Sequence, residues 1–261
     1  MGVRIAAATR RLQQPFRKAL HTVAALGVDG VEIDARDELR PADITGTAVR
    51  AVRKLLEEGN LQVAGAVFPT RRGLLSSDHA EQRLAALREA MTMVSRLGGR
   101  TLTTNLGAIP PAEDDRRSQS LQILELAAAD GQRLGVTPVL SASETPPRET
   151  AELLADLHAG VIGVRLDPAE LIRHGQSPSE WLEMLGPRVA SVAATDAAKD
   201  FGGSGTIDVE LGRGGANFDE LLVRLLEQYQ YRGWIVVGRS DSPRPVEEMA
   251  DAAAFIRACS H

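Results

Sequence analysis

Cysteine occurs once, at Cys259, in a chain of 261 residues. A lone cysteine excludes an intramolecular disulfide and any cysteine-ligated metal cluster. Aromatic residues make up only 3%, so the core has to be built from Leu, Val, Ile and Ala. That suits the branched, layered interior of a barrel. No apolar stretch approaches a membrane span. The apolar run within MGVRIAAATRRL is far too short for a signal peptide. Arginine is frequent but scattered among acids, and no basic run carries interleaved aromatics. With a net charge of −5, this argues against a nucleic-acid partner. These absences predict a cytoplasmic protein with no membrane or nucleic-acid partner.

What is present is ordinary for a globular chain: 43% hydrophobic and 25% charged residues. The length is typical of one eightfold α/β barrel, though two smaller domains also fit it. Short β-like runs alternate with amphipathic helical runs from end to end. Strands are predicted at 3–8, 30–34, 62–67, 101–105, 137–142, 162–167, 189–195 and 234–238. Helices are predicted near 14–26, 45–58, 78–97, 116–134, 148–158, 178–185, 217–228 and 245–258. Strict alternation argues for a parallel sheet. Eight repeats suggest closure into a single (β/α)8 TIM barrel over 1–261, with a doubly wound open sheet as the alternative.

The punctuation agrees. Helices end at Gly27, Gly59, Gly98 and Gly135 just before strands, as expected where glycine caps a helix in the left-handed conformation. Asp78 with Glu81 has capping-box spacing. The long irregular segments, roughly 68–77, 106–115 and 196–216, all follow strands. In a barrel those loops carry the site.

Three segments resemble the sugar phosphate isomerase/epimerase family, the xylose-isomerase-like barrels. ALGVDGVEIDAR at 25–36 is similar to that family's second strand, with Glu32 near its end. VRLDPAELIRHG at 164–175 resembles its sixth-strand segment. LGRGGANFDELLVRLLEQYQYRGWIVVGR at 211–239 resembles its last unit and is the most specific of the three. The resemblance implies a small-molecule sugar or polyol ligand and a homodimer. It also implies one divalent metal (Mn, Mg, Co or Zn) at the barrel mouth. Its ligands would be Glu on strand five, Asp on strand six, His on strand seven and Glu on strand eight.

This chain departs from that ligand set at three of four positions. Asp167 matches on strand six. Strand five places Ala142 or Ser143 at the ligand position, strand seven Ala193 and strand eight Gly238. None of the five histidines falls on a predicted strand: His21, His79 and His158 lie on predicted helices, His261 ends the chain, and His174 follows strand six. A tight site needs several preorganised ligands, so no metal cofactor is expected.

Individual residues carry paired readings. Asp167 is either an acid–base group in the mouth or a cap for the turn before Pro168. Asp196 is either a substrate-contacting acid or a turn residue. Glu32 points into the mouth or pairs with Arg36 at the surface. Glu144 either turns inward beside Asp167, as a second carboxylate for proton transfer, or is an exposed loop acid before Pro146. Arg165, Arg213 and Arg239 are candidate substrate cations or partners of surface acids, and Gly212-Arg213-Gly214-Gly215 could cradle an anion. Asn105 is suited to a sugar hydroxyl or to a turn. Trp234 and Trp181 read as packing residues.

Three functions compete. The first is an isomerase or epimerase acting on a sugar or polyol through an altered site. The second is a non-catalytic barrel, a sensor or partner subunit that lost its metal. The third is a metal-independent lyase or dehydratase using Asp167, Asp196 and Glu144.

Overall fold

Eight parallel strands close on themselves in the computed structural model, which describes residues 3–157, 161–200, 203 and 205–260. The barrel strands are β1 (Arg4–Ala8), β2 (Gly30–Asp34), β3 (Gln62–Val67), β4 (Thr101–Asn105), β5 (Thr137–Ser141), β6 (Gly163–Leu166), β7 (Val189–Ala194) and, after an inserted hairpin of β8 (Asp196–Lys199) and β9 (Thr206–Val209), β10 (Trp234–Val237). Closure is made by β1 against β10 in parallel register, from Arg4 opposite Trp234 to Ala7 opposite Val237. The open doubly wound sheet is therefore excluded, and the fold is a single (β/α)8 TIM barrel.

The strand cores lie where the apolar runs predict, with ends differing by a residue. The surrounding helices are α1 (Phe16–Ala25), α2 (Gly46–Glu58), α3 (Ala80–Leu97), α4 (Arg116–Leu134), α5 (Pro147–Ala155), α6 (Pro168–Arg173), α7 (Pro178–Leu185), α8 (Phe218–Val223) and α9 (Pro245–Cys259). Four of them, α5, α6, α7 and α9, start on proline. Its fixed φ suits the first helical position, where its missing N–H has no partner to lose.

Several local expectations are corrected. The segment 196–216 holds the antiparallel β8–β9 hairpin rather than irregular chain. α6 is an additional helix, and 217–228 divides into α8 and one π turn over Arg224–Gln228. Asp78 does not cap α3: its carboxylate pairs with Arg72, and His79 takes the cap position in the left-handed region with no side-chain cap. Gly27, Gly98 and Gly135 have positive φ as expected, but after α2 it is Asn60, at φ 51°, that turns left-handed rather than Gly59. His158 and His261 lie outside the described residues.

Most of the buried apolar residues pack between the strands and the helices, with Trp181 and Phe218 among the largest fully buried. Inside the barrel the packing is made of small residues: Ala6, Ala64 and Val236 form their own cluster, flanked by Ala8 and Trp234. Trp234 enters at the N-terminal end of β10, with the Arg4 guanidinium 4.7 Å from its ring centroid. The opposite end is left open.

Candidate functional site

Successive side chains of a strand point to opposite faces. On β2 this carries Glu32 and Asp34 to the open end, while β1 and β7 present Ala8 and Ala193 there and Gly238 follows β10. Three such small residues leave a cavity of about 240 Å³ at the C-terminal strand ends. That is below the range usual for drug-sized ligands and matches a small one. Asn105, Ser141, Arg165, Asp167 and Thr195 also line it.

Glu32 and Arg165 meet inside the barrel. Arg165 Nη1 donates to Glu32 Oε1 at 2.5 Å and to Ser191 Oγ at 3.0 Å, and Nη2 donates to Glu32 Oε2 at 3.1 Å. Both side chains are almost fully buried. Burial works against the charged guanidinium, but the negative charges of Glu32 and Asp167 outweigh it, and the Arg165 pKa is raised. Arg36 does not reach Glu32 and donates instead to the Pro69 carbonyl at 2.7 Å.

Asp34, which the sequence reading missed, is buried beside Glu32. It pairs with Arg10, and its Oδ1 accepts the Arg36 and Asp37 N–H groups, each at 2.8 Å. The signal for it was present: it lies two residues after Glu32, on the same face of the same strand. Arg10 and Arg11, in the turn Thr9–Leu12 directly after β1, also line the mouth. Their position after a strand end could have marked them.

Asp167 both caps a helix and lines the mouth. Its Oδ1 accepts the Glu170 N–H at 3.3 Å as the cap of α6, and the Thr195 hydroxyl at 2.7 Å. The same side chain lines the mouth. Glu170, on the rim, is engaged by Arg173 at 2.6 Å. Asn105 accepts the Thr70 N–H through Oδ1 at 3.3 Å, which leaves its amide NH2 for a ligand.

Other candidates lie elsewhere. Asp196 does not line the cavity; it is 1% exposed, and its carboxylate is consumed by backbone. Oδ1 accepts the N–H groups of Ala197 and Ala216, each at 2.9 Å, and Oδ2 accepts those of Gly212 at 3.1 Å and Gly214 at 2.8 Å. A side chain on Gly214 would strike Asp196, since a Cβ there would sit 2.2 Å from Oδ1. The glycine run therefore cradles an internal carboxylate, which is why Gly212-Arg213-Gly214-Gly215 is not an anion cradle for a ligand. Arg213 is 75% exposed and pairs with Glu210 at 2.8 Å. Arg239 forms two bonds to Glu248, at 2.8 and 2.7 Å, and a third to the Asp208 carbonyl at 3.0 Å. Its hydrogen bonds hold the Glu248 carboxyl below the usual range against some burial. Neither arginine lines the mouth.

Glu144 is exposed and lines a neighbouring cavity with Arg71 and Thr145, not the one containing Asp167. Ala142 and Ser143 belong to that second cavity too. The residue that β5 presents to the mouth is Ser141, opposite Asn105 in the β4–β5 register. His174 ends α6 and faces Glu170 at 3.8 Å.

Eight-stranded parallel closure, with a small polar cleft at the C-terminal strand ends, defines a (β/α)8 barrel with the site geometry usual for that fold. The model of the xylose isomerase-like TIM barrel family matches residues 20–259, and the chain belongs to that family. Among solved structures, a xylose isomerase domain protein from Planctomyces limnophilus superposes with a TM-score of 0.82 at 19% identity, covering 99% of this chain and 96% of that one. A xylose isomerase-like TIM barrel protein from Mycobacterium smegmatis, in complex with magnesium, gives 0.81 at 16% identity, covering 98% and 96%. A D-allulose 3-epimerase from a Methylomonas species, in complex with D-allulose, gives 0.74 at 18%, covering 98% and 97%. At these identities the likeness is one of fold. A search of curated proteins finds no match. Among the described residues, no helix is long and apolar enough to cross a membrane.

Proposed function

We propose that this chain is a sugar isomerase/epimerase-like barrel that binds a small polyol or sugar derivative at its mouth, with Asp167 handling the proton and no tightly held divalent metal. One observation carries the reading. Among the described carboxylates that line the mouth, Glu32, Asp34 and Glu170 each face an arginine, and Asp167 has no ion-pair partner.

The donor set does not fit a divalent ion. Where the family resemblance implies three further ligands, the mouth presents Ser141, Ala193 and Gly238. The next carboxylate, Glu32, has both oxygens on Arg165. No step is therefore routed through a metal.

One free carboxylate suits an aldose–ketose shift. Asp167 takes the proton from the carbon beside a carbonyl, an enediolate forms, and the same carboxyl returns the proton to the neighbouring carbon on the same face. A hydroxyl proton moves between the two oxygens to complete the balance. The Asn105 amide donates to the substrate oxygens, including the developing oxyanion. Inversion at a single carbon needs a second group on the opposite face. Glu32 and Asp34 are not free for that role, so the arrangement favours isomerisation over epimerisation. The lyase reading loses Asp196 and Glu144, which lie outside the mouth.

The test is deuterium incorporation from D2O into small aldose–ketose pairs, followed by NMR. Asp167→Asn keeps the helix cap, because Asn caps about as well as Asp, but removes the base. The expected result is exchange in the wild type and none in the variant. Exchange that survives in the variant sinks the role of Asp167. Sugar binding without exchange in the wild type establishes the non-catalytic barrel instead, which the neutralised Glu32 and Asp34 favour.

A further inference from the structure

The charges of the mouth leave a second one unmatched. Among the described lining residues, Arg10 is tied to Asp34 and Asp37, and Arg165 to Glu32. Arg11 lines the same cavity, is exposed, and has no acidic partner.

Its position is set by Gly238. That residue sits at the end of β10 with φ +140°, a conformation that side-chain-bearing residues rarely adopt. A Cβ built there would lie 3.2 Å from Arg11 Cγ and 3.1 Å from both Ala8 Cβ and Met249 Cε. The stem of Arg11 thus occupies the corner that a side chain at 238 would need. Where the family resemblance implies a carboxylate on strand eight, this mouth carries a free guanidinium.

We infer that Arg11 holds the anionic end of the ligand, so that the substrate is a sugar acid or sugar phosphate rather than a neutral sugar. This rests on the reading of the mouth as a sugar site. A guanidinium binds carboxylate and phosphate oxygens through paired N–H groups. The free negative charge at Asp167 disfavours an anion near it, which fixes the ligand's direction: the anionic group goes to the Arg11 corner, and the hydroxyl-bearing carbons go to Asp167 and Asn105.

Calorimetric titration of D-erythrose, D-erythronate and D-erythrose 4-phosphate tests this on one carbon skeleton. The proteins are wild type, Arg11→Gln and Arg213→Gln, the last removing an exposed arginine away from the mouth. One anionic probe is expected to bind the wild type about tenfold or more tighter than erythrose. Arg11→Gln should abolish that preference, and Arg213→Gln should leave it intact. A preference for erythronate assigns a carboxylate, and one for the phosphate assigns a phosphate. Erythrose binding with no anionic preference, a preference surviving in Arg11→Gln, or one lost equally in Arg213→Gln overturns the role of Arg11 while leaving the sugar site standing. Failure of all three probes to bind overturns both.

Discussion

The guanidinium of Arg165 and the carboxylate of Glu32 are joined by two hydrogen bonds inside the barrel, between residues 133 positions apart in the chain. Neither charge has much access to water, so each depends on the other. Removing one leaves a buried charge uncompensated, which typically costs about 3–5 kcal/mol. Glu32→Leu and Arg165→Met are each expected to lower the unfolding free energy, measured in urea, by that order. The double variant Glu32→Leu/Arg165→Met should recover most of the loss, since apolar pairs of similar volume often replace such bridges without penalty. Additive losses in the double variant would show that the pair is not coupled.

Asp196 makes a different prediction from the one its place at a strand end suggests. Its carboxylate accepts four backbone N–H groups from Ala197, Gly212, Gly214 and Ala216. Each buried donor left unpaired costs about 1–3 kcal/mol. Asp196→Ala is therefore expected to destabilise the chain by about 3 kcal/mol or more, and to speed hydrogen exchange at those four amides. Sugar binding at the mouth should survive in the folded fraction. Loss of binding with stability and exchange unchanged would return Asp196 to the site.

The barrel was legible because its signals are local. Apolar strand runs and most glycine stops mark elements without reference to the rest of the chain. The place of Asp167 at the mouth was legible for the same reason, since its motif lies in one segment. Pairings between distant residues were not. Glu32 and Arg165 were each singled out, but only closure of the barrel sets β2 and β6 at a distance where they neutralise one another. Asp34, Arg10 and Arg11 stand at or just after strand ends, where only the closed barrel turns them toward one mouth. Glu144 is the exposed loop acid of its two readings; the sequence left both open because the register of β5 against β4, with Ser141 opposite Asn105, is a property of the sheet and not of the segment.

Glu38 gives the chain a pH dependence with a definite sign. Its Oε2 accepts the Thr9 hydroxyl at 2.7 Å and the Asp34 N–H at 2.9 Å, while Oε1 is buried with no partner. Burial raises its pKa more than those two bonds and the charge of Arg10 lower it, and the charge of Asp34 adds to the rise. Between the ordinary glutamate value and the raised one, the folded state holds more protons than the unfolded state. Its contribution is therefore fully present below the unfolded pKa and is lost as pH rises through the folded one. Urea midpoints for wild type and Glu38→Gln, taken from about pH 4 to 8, should diverge in favour of the variant as pH rises. The unpartnered amide of the variant shifts its curve by a constant amount, so the slope of the difference is the readout. A flat difference would contradict the raised pKa.

Metal addition tests the mouth most directly. A ligand that binds only the folded state stabilises it by mass action, by about 2.7 kcal/mol at a hundred times its Kd. At this chain length that is a rise in Tm of about 5 °C or more. Mn2+, Mg2+, Co2+ and Zn2+ are each expected to produce no such rise in protein stripped with a chelator, and elemental analysis of the untreated protein should find no stoichiometric metal. The reason lies in the side chains. Asp167 offers one carboxylate, Glu32 is held by Arg165, and Ser141, Ala193 and Gly238 supply no charged or imidazole donor. Restoring the acid on strand eight should not rescue binding either. Gly238→Glu forces a side chain into a backbone conformation with φ +140° and against the stem of Arg11, so it is expected to lower Tm with or without metal. A metal-dependent rise in the wild type would return the mouth to the metal chemistry that the family resemblance implies.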